Sequence, residues 1–156
     1  MKVRIKKLTE NAVIPSKAHT TDAGFDLTAT SRTLDEYGCV VYGTGLAFEI
    51  PEGYVGLLFP RSSNAKKDLT LSNSVGVLDS GYRGEVTFKF KPAFRWDVDG
   101  GICVGERSNE MTLLKYEVGD RIGQLIIMPI PDIEFEETEG LSETDRGIGG
   151  YGSTGK

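Results

Sequence analysis

Residues 86–91 read Val-Thr-Phe-Lys-Phe-Lys, apolar at every second position and polar between. A two-residue period is the mark of a strand with one face buried and the other wet. The same alternation recurs outward from there. Val3 and Ile5 alternate with Arg4 and Lys6, and Leu46, Phe48 and Ile50 alternate with Ala47 and Glu49. Two short apolar runs, "GYVGLLF" (53–59) and "QLIIMPI" (124–130), read as strands buried on both faces. Turn signals separate these runs at 51–53, 99–101 and 118–120. No stretch of a dozen residues carries a 3.6-residue period, and the one helix candidate is short, Ser63 to Leu69. Many short strands with regular punctuation predict an all-β sandwich or barrel.

The chain has 156 residues, enough for one domain with a real core. Its net charge of −5 excludes a general nucleic-acid binder, which needs a basic field to hold phosphate backbones. It leaves room for a small anion in a local basic pocket. Cys39 and Cys103 lie far apart with no metal-ligand spacing and read as free thiols. No apolar run is long enough for a membrane helix, and the N-terminus has no signal-peptide core, so the expectation is a soluble cytoplasmic protein. The body is expected over 1–131, with an irregular excursion at 92–112 that reads either as an elaborated loop or as a surface for a protein partner. An acidic linker arm follows at 132–145, then a glycine-rich end at 146–156.

Several stretches carry candidate chemistry. "RGIGGYGSTGK" (146–156) ends in something close to a phosphate-binding loop, but that loop needs a helix after its lysine and none follows. Arg61, Ser62 and Ser63 stand where the short helix would begin, so hydroxyls, a guanidinium and free amides could form a phosphate cradle; a plain serine cap is the bland alternative. In "SNSVGVLDSGYRGEV" (72–86), Asn73 offers a donor and an acceptor to a base edge, Asp79 could activate a water, and Tyr82 could lie flat against a sugar. The bland alternative is a hairpin turn. Asp22 and Asp26 could serve Mg²⁺ directly or through water, or simply be solvated acids at a strand entry. Asp120 and Arg121 read as a structural ion pair, and Gln124 could reach a phosphate oxygen. His19, the one histidine, reads as a surface residue, so neither a histidine-based triad nor a His/Cys zinc site is expected.

Five stretches stand in a telling order: Asp22–Leu27, Pro60–Ser63, Gly76–Glu85, Gly119–Leu125 and Arg146–Gly155. Together they resemble the five motifs of the trimeric dUTPases. The resemblance implies a β jelly-roll-like homotrimer with active sites at subunit interfaces, which hydrolyses dUTP to dUMP and pyrophosphate with Mg²⁺. It implies Asp79 as the carboxylate that activates water. It implies Tyr82 under the deoxyribose, and Asn73 with the 73–79 backbone, including Gly76, around uracil. Arg61, Ser62, Ser63 and Gln124 would contact phosphates, and Asp26 would support the metal's waters from outside. In the tail, Tyr151 would stack on uracil, where phenylalanine is the more familiar residue, while Arg146, Gly152, Ser153 and Thr154 would hold the far phosphate. The tail then reads as a lid ordered by substrate.

Two rival readings remain open to comparison. dCTP deaminase resembles this family in fold and phosphate motif, but the position of its catalytic glutamate falls on Lys89, which cannot act as that base. A non-catalytic trimer that senses nucleotide or binds a partner would have no need of Asp79, Gln124 and the full tail together.

Overall fold

The computed structural model describes residues 1–93, the backbone of 95, 96, 102 and 103, and 115–150. In chain order the strands are β1 (Arg4–Lys7), β2 (Phe25–Thr28), β3 (Ser31–Leu34), β4 (Val40–Gly43), β5 (Leu46–Glu49) and β6 (Tyr54–Pro60). There follow β7 (Leu69–Leu71), β8 (Gly76–Leu78), β9 (Thr87–Pro92), β10 (Arg95–Trp96), β11 (Ile102–Cys103) and β12 (Arg121–Pro129). Among the described residues the one helix is a 3-10 turn over Ser62–Lys66, between β6 and β7.

Two four-stranded antiparallel sheets form the body, ordered β2-β12-β6-β8 and β3-β4-β9-β7, with separate two-stranded ribbons β1-β5 and β10-β11. The 86–91 pattern supplies the centre of the second sheet. Phe88 and Phe90 of β9 point inward and are almost fully buried, while Thr87 and Lys89 face out. Phe88 stands opposite Tyr42 of β4; Phe90 stands opposite Val40 on one side and Leu71 of β7 on the other. Tyr42, Phe90 and Tyr116 pack at centroid distances of 5.8–6.1 Å, in edge-on and tilted arrangements that aromatic rings favour. Leu27, Leu58, Leu78, Ile122 and Leu125 of the first sheet join the same hydrophobic cluster. The two sheets therefore close on one core, as a sandwich of half-buried strands must.

The structure departs from the sequence reading in three places. β6 and β12, expected to be buried on both faces, each bury mainly one: in β6, Gly56 and Leu58 are covered, while Val55, Leu57 and Phe59 stay half exposed. The expected helix over 63–69 is shorter and tighter, because the chain turns extended at Lys67 (φ −113°, ψ 154°). That lets Leu69 and Leu71 alternate into the core as β7. Like β4, β3 was not foreseen. All four of its side chains are exposed, so no apolar face writes a period there, and pairing with β4 alone makes it a strand.

Turns at 51–53 and 118–120 are present, with Gly53 and Gly119 at φ +76° and +97°, where glycine is the natural residue. The turn at 99–101 and most of the 92–112 excursion lie outside the described residues; the backbone of β10 and β11 there forms an antiparallel pair. Cys39 is a buried free thiol. Residues 131–148 are exposed throughout, Phe135 and Leu141 to 94% and 89%. Among the described residues no helix is long and apolar enough to cross a membrane.

Asp35 ties the β3–β4 turn to β9. Its Oδ1 accepts from the amides of Tyr37 (3.0 Å) and Cys39 (2.8 Å), and Lys89 Nζ lies 2.9 Å from Oδ2. The Lys89 ammonium first, then the Cys39 N–H, hold this carboxyl below its ordinary value. A depressed carboxylate adds stability that is present above the unfolded value and is lost as pH falls through the folded one. Asp35→Asn is therefore expected to lower Tm at pH 7, with the gap to the parent closing below about pH 3.8 in thermal melts across pH.

Candidate functional site

Two recesses collect the residues singled out by sequence. The first, about 190 Å³, opens beside β8 and is lined by Asn73, Gly76, Asp79, Tyr82 and Glu85 over a floor that includes Leu58 and Val86. β8 runs only from Gly76 to Leu78, and the chain then leaves the sheet in a hairpin from Asp79 to Glu85. Asp79 caps the end of the strand, exposed, and its backbone carbonyl accepts from Tyr82 N at 3.1 Å. No described residue donates to the Asp79 carboxylate, which leaves its lone pairs for a water. Gly76 is held tight: a Cβ there would fall 3.0–3.1 Å from Leu58 side-chain carbons.

The second recess, about 430 Å³, is lined by Asp22, Gly24, Asp26, Arg61, Ser62 and Gln124, among others. Cross-strand register assembles it. Asp26 of β2 stands directly opposite Gln124 of β12, and Gly123 of β12 stands opposite Pro60, after which the chain leaves β6 with Arg61. Arg61 donates Nε to Asp26 Oδ1 at 2.8 Å, and Arg121 donates Nη1 to Asp26 Oδ2 at 2.9 Å. One carboxylate thus bridges two guanidinium groups. The expected pairing of Asp120 with Arg121 is not formed. Asp120 instead accepts from the Glu117 amide at 2.8 Å, closing its own turn, and Arg121 finds Asp26 across the strand pair. Asp22 likewise closes a local turn, accepting from His19 N at 2.8 Å.

Gln124 lies across this recess with Nε2 donating to Pro60 O at 3.3 Å. Gly24 gives it the room, since a Cβ on Gly24 would fall 2.5 Å from Gln124 Oε1. Sequence reading missed that role for Gly24, and it missed Arg121 as a neighbour of the site. The 3-10 turn begins after Arg61 with no side-chain cap, which leaves the Ser62 hydroxyl unspent. Ser63 does not line the recess; it lies beside the Tyr116 phenol, which donates to Asn64 Oδ1 at 3.2 Å. Lys89, the position that decides against a deaminase, is engaged in its ion pair with Asp35.

The two recesses do not merge within one chain. β8 runs antiparallel to β6, with Gly76 opposite Leu58 and Leu78 opposite Gly56. Asn73 to Asp79 therefore leads away from Arg61. Asp79 reaches the level of Val55, six residues from Arg61 along β6, a backbone separation of roughly 20 Å at ~3.4 Å per residue. Arg146 stands on the exposed arm with its Nε donating to Gly149 O at 3.0 Å. Tyr151, Gly152, Ser153 and Thr154 lie outside the described residues.

Among the described residues no group of three or more His, Cys, Asp or Glu side chains could cage a metal. In the second recess Asp26 Oδ1 accepts from Arg61 Nε at 2.8 Å and keeps a lone pair, while Oδ2 accepts from both Arg121 Nη1 at 2.9 Å and Arg61 Nη2 at 3.4 Å. That donor set suits a cation that keeps its water shell and takes its direct ligands from phosphate oxygens, as Mg²⁺ does.

The family model for dUTPase matches residues 10–155. A deoxyuridine 5′-triphosphate nucleotidohydrolase of Nautilia profundicola is 40% identical, covering 100% of both chains. One from Rhodococcus erythropolis is 38% identical over 99% of this chain and 87% of its own. Among solved structures, the Staphylococcus bacteriophage 80alpha dUTPase with bound dUpNHpp superposes with a TM-score of 0.77 at 33% identity, covering 99% of each chain. A mutant dUTPase from phage phi11 of S. aureus, whose structure describes the coordination of a structural Mg(II) ion, superposes at 0.67 with 31% identity, over 90% of this chain and 98% of that one.

Replacing Asp26 by Asn would leave two guanidinium groups without the carboxylate that bridges them. Urea unfolding at low salt is expected to find the variant less stable by about 1–3 kcal/mol. Added sulfate should recover part of the loss by binding between the arginines. An undiminished stability at low salt would mean that the bridge carries no weight.

Proposed function

The chain belongs to the dUTPase family and hydrolyses dUTP to dUMP and pyrophosphate, and we propose that it does so in a homotrimer whose sites each join the first recess of one copy to the second recess of another. The single observation that carries this reading is the direction of β8. A nucleotide whose base sits by Asn73 and whose α-phosphorus sits by Asp79 points its phosphates away from Arg61, Ser62 and Gln124 of its own chain. Those groups are needed at the phosphates, and a neighbouring copy can bring them there. Closed rings of identical subunits make such sharing natural.

In this reading the Asn73 amide and the backbone through Gly76 pair with uracil. Cytosine presents the opposite donor and acceptor, and mispairing in an enclosed pocket rejects it strongly. Thymine must be refused by the close approach of the Gly76 backbone to the base. The Tyr82 ring lies under the deoxyribose and leaves no space for a 2′-hydroxyl. Asp79 accepts the proton of a water aligned with the α-phosphorus, and the departing pyrophosphate carries the negative charge that Arg61, Ser62 and Gln124 neutralise. Ser63 supports this cradle from behind through Tyr116. Mg²⁺ bound to the triphosphate supplies further charge neutralisation, with Asp26 reaching its waters.

The arm 132–145 carries residues 146–156 over a site, where Tyr151 covers the base and Arg146, Gly152, Ser153 and Thr154 hold the terminal phosphate. We assign the enzyme to the cytoplasm, where it lowers dUTP available to DNA synthesis and supplies dUMP. The 92–112 excursion remains our candidate surface for a protein partner.

Pyrophosphate release should be fast from dUTP and slow from dCTP, dTTP and UTP. Asp79→Asn is expected to bind dUTP but lose turnover by about 10²-fold or more; a near-normal rate would remove Asp79 as the base. Shared sites make a further prediction. Asp79→Asn and Arg61→Ala chains, each inactive alone, should recover roughly a quarter of the parent rate when unfolded and refolded together, because mixed trimers contain one intact site. No recovery would place both recesses of a working site in one chain.

A further inference from the structure

Gly84 has no evident job in the reaction, and its backbone gives no reason for glycine. The glycines in the left-handed region among the described residues are Gly38, Gly45, Gly53, Gly119 and Gly147, and Gly84 is not one of them. What Gly84 lacks is room. A Cβ there would strike the hydroxyl of Tyr82, fall 2.6 Å from ring carbon Cζ and 3.1 Å from Cε2, when real Cβ atoms essentially never come under 3.0 Å. Gly81, on the same hairpin, would meet nothing within 4 Å. The space is therefore reserved at one glycine and for one ring.

Tyr82 is folded back over Gly84, and its hydroxyl donates to the backbone carbonyl of Glu85 at 3.1 Å. The platform under the ring is itself pinned. The Glu85 carboxylate accepts from Gly45 N at 2.7 Å, Val86 N donates to Leu46 O at 2.8 Å, and Thr44 Oγ1 donates to Val86 O at 2.7 Å. At the other end of the hairpin, Arg83 Nη1 donates to the carbonyls of Ser80 (2.6 Å) and Tyr82 (2.9 Å). Thr44 is fully buried, so the base of this hairpin is anchored in the core.

We infer that Gly84, with the carbonyl and carboxylate of Glu85, are positioning residues that set the Tyr82 ring in its sugar-facing pose before substrate arrives, and so determine how well the enzyme refuses a ribonucleotide. This rests on the role proposed above for Tyr82. A wall excludes a single hydroxyl only if it cannot retreat, and a ring seated on a glycine and tied at its far end cannot slide toward the hairpin. Adding one methyl at position 84 lifts the ring off its seat and breaks the bond to Glu85. The hairpin backbone, which holds Asp79, needs no such change.

The test compares kcat/KM for dUTP and UTP across variants whose trimers and melts are checked first. Gly84→Ala is expected to lower the dUTP-over-UTP ratio about tenfold or more, since misplacing a positioning contact by 1 Å can cost ~10²-fold. Gly81→Ala should leave the ratio unchanged. In a Tyr82→Ala background, Gly84→Ala should add no further loss, because its effect passes through the ring. Tyr82→Phe keeps the ring and removes the tether, and should lower the ratio about threefold, the worth of a modest hydrogen bond. An unchanged ratio in folded Gly84→Ala, or an equal loss in both backgrounds, overturns the inference while leaving Tyr82's role standing. If Gly84→Ala does not fold, an unchanged ratio in Tyr82→Phe overturns it. An unchanged ratio in Tyr82→Ala removes both the inference and the sugar-facing role.

Discussion

β6 is the element on which the functional geometry depends. It pairs with β12 along one edge over seven consecutive positions, from Pro60 to Tyr54, and with β8 along the other. A one-residue slip in either ladder would turn every side chain of that strand to the opposite face. The registers are held because Leu58, Leu78 and Leu125 must all face the common core. Given those registers, Asp26, Arg61 and Gln124 have to meet at one end of the sheet, and Asp79 has to leave it toward the other. The separation of the two recesses thus follows from hydrophobic packing with no polar interaction needed to enforce it.

Within the second recess, charge does the arranging. Three ionic groups share a part-buried space, and one carboxylate serves two arginines. The bridge fixes where both guanidinium groups stand, each held by the Asp26 carboxylate. An anion arriving there finds donors already oriented. In a protein of net charge −5, a pair of fixed guanidinium groups gives an anion a local foothold on an acidic surface.

Missing side chains shape the site as much as present ones. Gly24 admits Gln124, Gly76 admits close packing by Leu58, Gly84 admits Tyr82, and Gly123 admits the Phe88 ring. None of these four has a positive φ. Their common property is space beneath a particular neighbour, and three of those four neighbours lie on another strand or loop far along the chain.

Alternation made the strands legible, because burying one face of a strand writes a period of two into the local sequence. β1, β5 and β9 could be read that way, the β6 and β12 runs were read from their continuous apolar residues, and the short helix was found within a few residues of its place. The ordered motifs carried the family and hence the residues to examine. β3 could not be read, having no buried face. Nor could the true partner of Arg121, the separation of Asp79 from Arg61, or the reason for Gly84. A residue's partner across a sheet is chosen by register between segments up to 100 positions apart, as for Phe25 and Leu125, and register is settled by the whole core. The chain's local chemistry was therefore written in its order of residues, while which groups meet, and which stand apart, was decided only when the two sheets closed.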